Sequence, residues 1–180
     1  MNAQGPIAIR RRQTADLPEL GKALVRVHQV DGYPVEGVDD PERWLIPARQ
    51  IASWTALLAD QPIGQVSLTE ADPQDDAARV WATKTGGSFE DIAVVARLFV
   101  DPEYRGKGAA QELMRAAHEH AGRVGKQLVF DVMLKDQRAI HLYEALGCER
   151  LGLITHHHGE GLEEPAAVYV APDRVPTRLP

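Results

Sequence analysis

The sequence predicts an α/β (α+β) protein, with a mixed, mostly antiparallel central sheet of about seven strands flanked by helices. Three observations carry that reading. Short stretches of alternating or continuous apolar residues end at Gly, Pro or Asp, as strands do. Between them, apolar residues recur every three or four positions, as in helices that bury one face. The two kinds of stretch are interleaved along the chain, which favours one sheet with helices on its faces. With 180 residues, 44% of them hydrophobic, the chain suits a single domain spanning 1–180, with its core over about 7–171.

The elements follow in order. Ile7-Ala8-Ile9-Arg10-Arg11 alternates and reads as a first strand. Asp16 stands where a helix cap is expected, with Pro18 in the first turn and Glu19 completing a capping-box pattern. Leu17, Leu20, Leu24 and Val27 give that helix an apolar face. Residues 31–47 hold Gly32, Pro34, Gly37, Pro41 and Pro47, and read as loop with at most a short helix at 41–45. Residues 51–59 and 63–69 read as a hairpin about a turn at Asp60-Gln61-Pro62. Residues 71–90 open acidic, at Asp72, Asp75 and Asp76, and read as an insertion with a short helix at 77–83. Ile92–Val100 is the most strand-like run, apolar on both faces. A helix at 105–124, a strand at 127–133, a helix at 136–146 and a strand at 148–154 follow. A last strand at 166–171 comes after a polar loop.

Composition removes several classes of function. The formal net charge of -6 gives no general attraction to a nucleic-acid backbone or an anionic membrane, and mildly favours amines. Cys148 is the single cysteine, so no intrachain disulfide forms, which fits a cytoplasmic location. No apolar run approaches the ~18 residues that span a bilayer. The three arginines within residues 1–12 are followed by no apolar stretch, so no secretory signal is read there. His156-His157-His158 with Glu160 has metal-ligating side chains, but neighbours on a strand point to opposite faces. They read instead as a strand-end loop, and no metal is expected. Trp54 reads as core, whereas Trp44 and Trp81 sit in polar segments and are candidates for a pocket wall. Cys148 reads as a small core residue.

The chemistry concentrates at one turn. Pro102-Glu103-Tyr104 ends the long strand, and Arg105-Gly106-Lys107-Gly108-Ala109-Ala110 opens the next helix. Two glycines let backbone approach a ligand closely, and a helix start offers free N–H groups with a partial positive charge. Arg105 and Lys107 add cations, so the turn suits a phosphate. On its own it reads equally as a junction whose glycines serve geometry alone. Ala109, Leu113, Ala116, Ala117 and Ala121 supply the apolar face of the helix behind it.

The wider context decides between these readings. Residues 98–110, Leu-Phe-Val-Asp-Pro-Glu-Tyr-Arg-Gly-Lys-Gly-Ala-Ala, resemble the signature of the GNAT superfamily of acyl-CoA N-acyltransferases, a strand ending in Val and then Arg/Gln-x-x-Gly-x-Gly/Ala. Arg105, Gly108 and Ala110 fill its fixed positions. Downstream, residues 136–148 resemble that superfamily's Asn-x-x-Ala-x-x-x-Tyr-x-x-x-Gly-Phe segment. Ala139, Tyr143 and Gly147 fit, Asp136 replaces Asn, and Cys148 replaces Phe. The resemblance implies a bulge in the long strand and a V-shaped cleft between the two central strands. It implies acetyl-CoA as acyl donor, with backbone of Leu98, Phe99 and Val100 along the pantetheine and acetyl carbonyl. Backbone of Arg105, Gly106, Lys107, Gly108, Ala109 and Ala110 would grip the pyrophosphate. Asp136 would touch the cofactor arm, and Tyr143 would be the general acid for the departing thiolate. The Val100 N–H is the candidate for stabilising the developing oxyanion.

The activity so implied is transfer of an acetyl group to a primary amine of a small molecule or a peptide by direct attack, in a monomer or a homodimer. Glu70, Glu90, Asp91, His28 and Asp31 are candidates for the base, and no motif selects among them. Acidic residues in the segments 31–47, 71–90 and 155–165 point to a cationic acceptor. A non-catalytic acyl-CoA-binding module of the same fold is the first alternative. A dinucleotide-binding turn is the second, disfavoured because Gln111 stands where its third glycine belongs.

Overall fold

The computed structural model describes residues 5–158 and 161–173. Seven strands form one sheet in the order β1-β2-β3-β4-β5-β7-β6. They are β1 (Ile7–Arg11), β2 (Gln50–Leu58), β3 (Gln61–Glu70), β4 (Ile92–Val100), β5 (Gln127–Met133), β6 (Glu149–His158) and β7 (Leu162–Val170). The helices are α1 (Leu17–Asp31), α2 (Pro41–Trp44), α3 (Asp76–Thr85), α4 (Ala109–Arg123) and α5 (Gln137–Ala145). Pairing is antiparallel for β1–β2, β2–β3, β5–β7 and β6–β7. It is parallel for β4–β5, over Ile92–Val94 against Gln127–Val129. The mixed, mostly antiparallel sheet expected from the sequence is therefore present. Among the described residues, no helix is long and apolar enough to cross a membrane.

By contacts the chain forms two compact units, residues 1–69 with 96–117, and residues 70–95 with 118–180. In the first unit, Leu17, Leu20, Leu24 and Val27 of α1 bury against Leu45 and Phe99, as their helical spacing requires. Gly64 of β3 lies against β4, where an added Cβ would sit 2.6 Å from the Phe99 carbonyl oxygen. In the second unit, Trp81 and Ala78 of α3 pack with Ile92, Val129, Val168 and Val170 of the sheet. Phe130, Tyr143 and Tyr169 form an aromatic group, with Phe130 and Tyr143 ring centroids 4.4 Å apart.

Three local expectations are corrected. The β2–β3 turn is Ala59-Asp60, with φ 48° and 66°, and Pro62 lies within β3 opposite Leu57. Two left-handed residues match the twist of the flanking strands, so the shorter turn wins over one built around the proline. Asp16 does not cap α1 through its side chain. It is buried and accepts from Arg10 at 2.7 Å, from the Thr55 hydroxyl at 2.8 Å and from the Gln13 N–H at 2.8 Å. Burial raises its carboxyl, but these donors outweigh it and hold the group below the usual range. The polar segment 155–165 is mostly hairpin rather than loop, with Thr155 opposite Pro165 and His156 opposite Glu164. Cross-strand His–Glu pairs give polar residues a reason to stay in a strand that lacks apolar alternation.

Candidate functional site

The long strand prepares the turn. β4 is buried at both ends, and Leu98 is half-buried while Phe99 and Val100 are buried. Its path breaks at Arg97, whose φ of 57° is left-handed, within the strand for which the resemblance implied a bulge. Asp101, fully buried, closes the strand. Its carboxylate accepts from the Arg26 Nε at 2.9 Å and from the Glu103 N–H at 3.1 Å, fixing a short helical turn over Pro102–Tyr104.

The turn that follows has the backbone of an anion cradle. Gly106 and Gly108 take φ of 77° and 83°, which side-chain-bearing residues rarely adopt. A Cβ built on either would meet nothing within 4 Å, so the space beside both is open. The helix α4 starts at Ala109 rather than at Arg105, and its opening bond runs from the Glu112 N–H to the Gly108 carbonyl at 3.0 Å. The N–H groups of Ala109, Ala110 and Gln111 precede that bond and have no carbonyl of the helix to reach. Gly108, the residue before the helix, has no side chain with which to cap them. Lys107 is exposed, whereas Arg105 is engaged: its guanidinium forms a two-pronged pair with Asp31, and its Nε donates to the Val100 carbonyl at 3.3 Å. The positive potential at the turn thus comes from backbone and Lys107 first. Behind the turn, Ala109, Leu113, Ala117 and Ala121 are buried as expected, with Met114 in place of the half-exposed Ala116.

Tyr143 and Asp136 belong to the second unit. Tyr143 is buried on α5. Asp136 is the N-cap of α5, its Oδ1 accepting from the Ala139 N–H at 3.1 Å. Asn and Asp cap equally well, which accounts for Asp in a position where Asn is usual.

The remaining sequence candidates acquire structural roles. The Asp31 carboxylate is held by Arg105, and the Asp91 carboxylate accepts from the Ser88 N–H at 3.0 Å. The Nδ1 of His28 lies 3.0 Å from the Pro34 carbonyl. Glu70 and Glu90 are exposed at element ends. Trp81, expected at a pocket wall, is a core side chain, 5% exposed, that also lines a cavity with Thr85, Gln127 and Leu128, and its Nε1 donates to Gln127 at 3.2 Å. Trp54 is core as read. Cys148 is buried and its thiol is pushed up to about 12 by burial, which fits the core role. His156 is in β6 and pairs with Asp131 of β5, and His157 pairs with Glu163 at 3.3 Å. Glu160 lies outside the described residues. No group of three or more possible metal ligands occurs among the described residues.

Sequence reasoning passed over Arg97 and Arg12. Arg97 is a lone charge in the apolar run Ile92–Val100, and that isolation was the available signal.

A family model described as the acetyltransferase (GNAT) family matches residues 19–148. An uncharacterized N-acetyltransferase of Methanocaldococcus jannaschii is 35% identical over 60 residues, which are 33% of this chain and 26% of the relative. The match thus spans about a quarter of that relative's length. An N-acetyltransferase from Staphylococcus aureus Mu50 superposes with a TM-score of 0.70 at 16% identity, over 94% of this chain and 100% of its own. YncA of Salmonella typhimurium, a putative acetyltransferase solved with acetyl-CoA, gives 0.69 at 15% identity, over 98% and 99%. Both share the fold.

Proposed function

We propose, for a chain that belongs to the GNAT acetyltransferase family, that it moves the acetyl group of acetyl-CoA to a primary amine of a small molecule or a peptide. Family membership bears out the enzyme class and the donor expected from the sequence. The observation that supports the reading in this chain is the turn at Gly106 and Gly108, with left-handed glycines, open space and unsatisfied N–H groups at one helix start. Those features fit a pyrophosphate, whose charge the N–H groups and Lys107 would offset. In this reading the backbone of Arg105 to Ala110 holds the pyrophosphate, and the backbone of Leu98, Phe99 and Val100 lies along the pantetheine arm.

Bound acetyl-CoA supplies a thioester carbonyl that a neutral amine attacks. An alkyl amine with a pKa of ~10.4 costs roughly 4–5 kcal/mol to deprotonate at pH 7, so the protein must take up that proton. At the other end of the reaction the Tyr143 hydroxyl is the proposed proton donor to the thiolate. Its ring is held by Phe130 and Tyr169, which fixes where the hydroxyl points. A cytoplasmic location belongs to the same proposal, supported by the single cysteine.

The test is titration calorimetry with acetyl-CoA, followed by a free-thiol assay for CoA release across a panel of amines. Micromolar-range binding and amine-dependent release are expected. Acetyl-CoA binding without release for any amine would favour the non-catalytic module, and tighter binding of NAD than of acetyl-CoA would overturn the reading.

A further inference from the structure

Among the described residues no carboxylate forms a salt bridge with Arg97, although the charge of Glu36 favours its cation. Arg97 sits at the left-handed break of β4, two residues before Phe99, and is half-buried. Its Nη1 donates to the Trp44 carbonyl, and its guanidinium lies over the Trp44 ring, 4.8 Å from the centroid. These contacts hold the group in place without cancelling its charge: no carboxylate forms a salt bridge with it, and its Nε and Nη2 have no acceptor among the described residues. Several other arginines of the same unit have counter-charges, whereas the exposed Arg11 lies over the Trp54 ring, 4.8 Å from its centroid. Arg10, Arg26 and Arg105 each pair with an aspartate. Arg12, also half-buried, donates to the Leu45 carbonyl and to the side-chain oxygens of Gln65, at 2.9 Å, and Gln50, at 2.9 Å. Burial lowers the pKa of both Arg12 and Arg97, and the two repel. A half-buried cation is costly to keep without a counter-charge. The nearest acid, Glu36, is itself bound to the Trp44 Nε1 at 2.8 Å.

The acceptor chemistry follows from what would satisfy that fork. A planar guanidinium with one open edge, its Nε and Nη2, matches a carboxylate, which accepts two parallel N–H bonds. A phosphate dianion fits less well, because the Nη1 and Nη2 of Arg12 already donate to amide oxygens and the charge of Glu36 acts on Arg97. We propose that Arg97 binds a carboxylate of the acceptor, so that the amine acetylated by this chain also carries a carboxylate, as an amino acid does. This rests on the acetyltransfer proposed above. It also qualifies the sequence expectation of a cationic acceptor: within 31–47, Asp31 is held by Arg105, Asp40 caps α2 and Glu36 is bound to Trp44.

The experiment compares matched acceptors: free L-amino acids beside their carboxamides, and phosphoethanolamine beside ethanolamine. Release of CoA is followed for the wild type and for Arg97→Gln, with the melting temperature as a check of folding. Free acids should exceed their amides in kcat/KM by ~10–10²-fold, mostly through KM, and in Arg97→Gln that ratio should fall to near one. Equal use of acids and amides by the wild type would overturn the inference and leave acetyltransfer to amines standing. So would a preference for phosphoethanolamine, or an acid preference that survives in Arg97→Gln. Should Arg97→Gln fail to fold, the wild-type ratio alone decides. Release of CoA with no amine at all would sink the proposed activity and this inference together.

Discussion

Two strand-to-helix junctions of this chain begin similarly and end differently. After β5, the chain reaches α5 through Leu134-Lys135-Asp136, and the Asp136 carboxylate takes the Ala139 N–H for itself. After β4, the chain reaches α4 through Arg105-Gly106-Lys107-Gly108, and no side chain at position 108 can do the same. The first junction is chemically closed. The second is left open, with two glycines in left-handed backbone and nothing within 4 Å of either missing Cβ. A helix start whose residue before the first turn is glycine forgoes the side-chain cap, at a cost of about a few tenths of a kcal/mol. The open junction is therefore where a bound anion has most to stabilise, and the closed one is where the helix needs only itself.

The largest expected effect breaks the open junction. Gly108→Asp places a carboxylate where the pyrophosphate would lie, and loss of acetyl-CoA binding by at least ~10²-fold is expected. The left-handed φ of 83° costs the new side chain roughly 1 kcal/mol, and Asp tolerates that conformation better than most residues, so the fold should persist. Calorimetry with acetyl-CoA, alongside circular dichroism, checks both parts. Unchanged affinity in a folded variant would show that both junctions are purely structural and that the comparison is empty.

Tyr143 asks whether α5 contributes chemistry from its body rather than its start. Tyr143→Phe keeps the packing on Phe130 and Tyr169 and removes only the hydroxyl. Turnover should fall by roughly 10–10³-fold with little change in acetyl-CoA affinity. The loss shrinks if the CoA thiolate, with a thiol pKa near ~8.5 by analogy with cysteine, leaves without full protonation. Steady-state kinetics beside the wild type measure it. Full activity in the phenylalanine variant would return Tyr143 to a packing role.

The two junctions were unequally legible in the sequence. Glycine spacing after an apolar strand drew notice to the open one, and the resemblance of residues 98–110 decided its reading, since the glycines alone suit a purely geometric junction as well. The sheet and its seven strands were legible wherever apolar residues alternate or cluster, as in Ile92–Val100. The β6–β7 hairpin was not, because its distal half sets His156 and His157 opposite Glu164 and Glu163, and polar cross-strand neighbours carry no apolar period. Asp16 looked like a cap because its spacing to Glu19 fits one. Tertiary partners, Arg10 and Thr55, took it instead. Arg97 shows the same limit at the site: sequence reveals a lone charge in an apolar run, but only the fold shows that its Nη1 goes to the Trp44 carbonyl and its face to the Trp44 ring.

The smallest effect sharpens the closed junction. If Asp136 does no more than cap α5, its removal is a stability event and nothing else. Asp136→Ala should cost about 1 kcal/mol, or roughly 2–4 °C in melting temperature for a chain of this size, whereas Asp136→Asn should cost almost nothing because its carbonyl oxygen accepts the same Ala139 N–H. Acetyl-CoA affinity separates this from a contact with the cofactor arm, the role that the resemblance implied. A capping residue leaves affinity unchanged in the asparagine variant. A carboxylate near the arm would instead be repelled by the phosphates, and Asp136→Asn would then tighten binding by a few-fold, more at low ionic strength than at high. Thermal unfolding and calorimetry at two salt concentrations resolve the two cases. A salt-dependent gain in affinity would mean that the first junction, though closed by its own side chain, also faces the ligand.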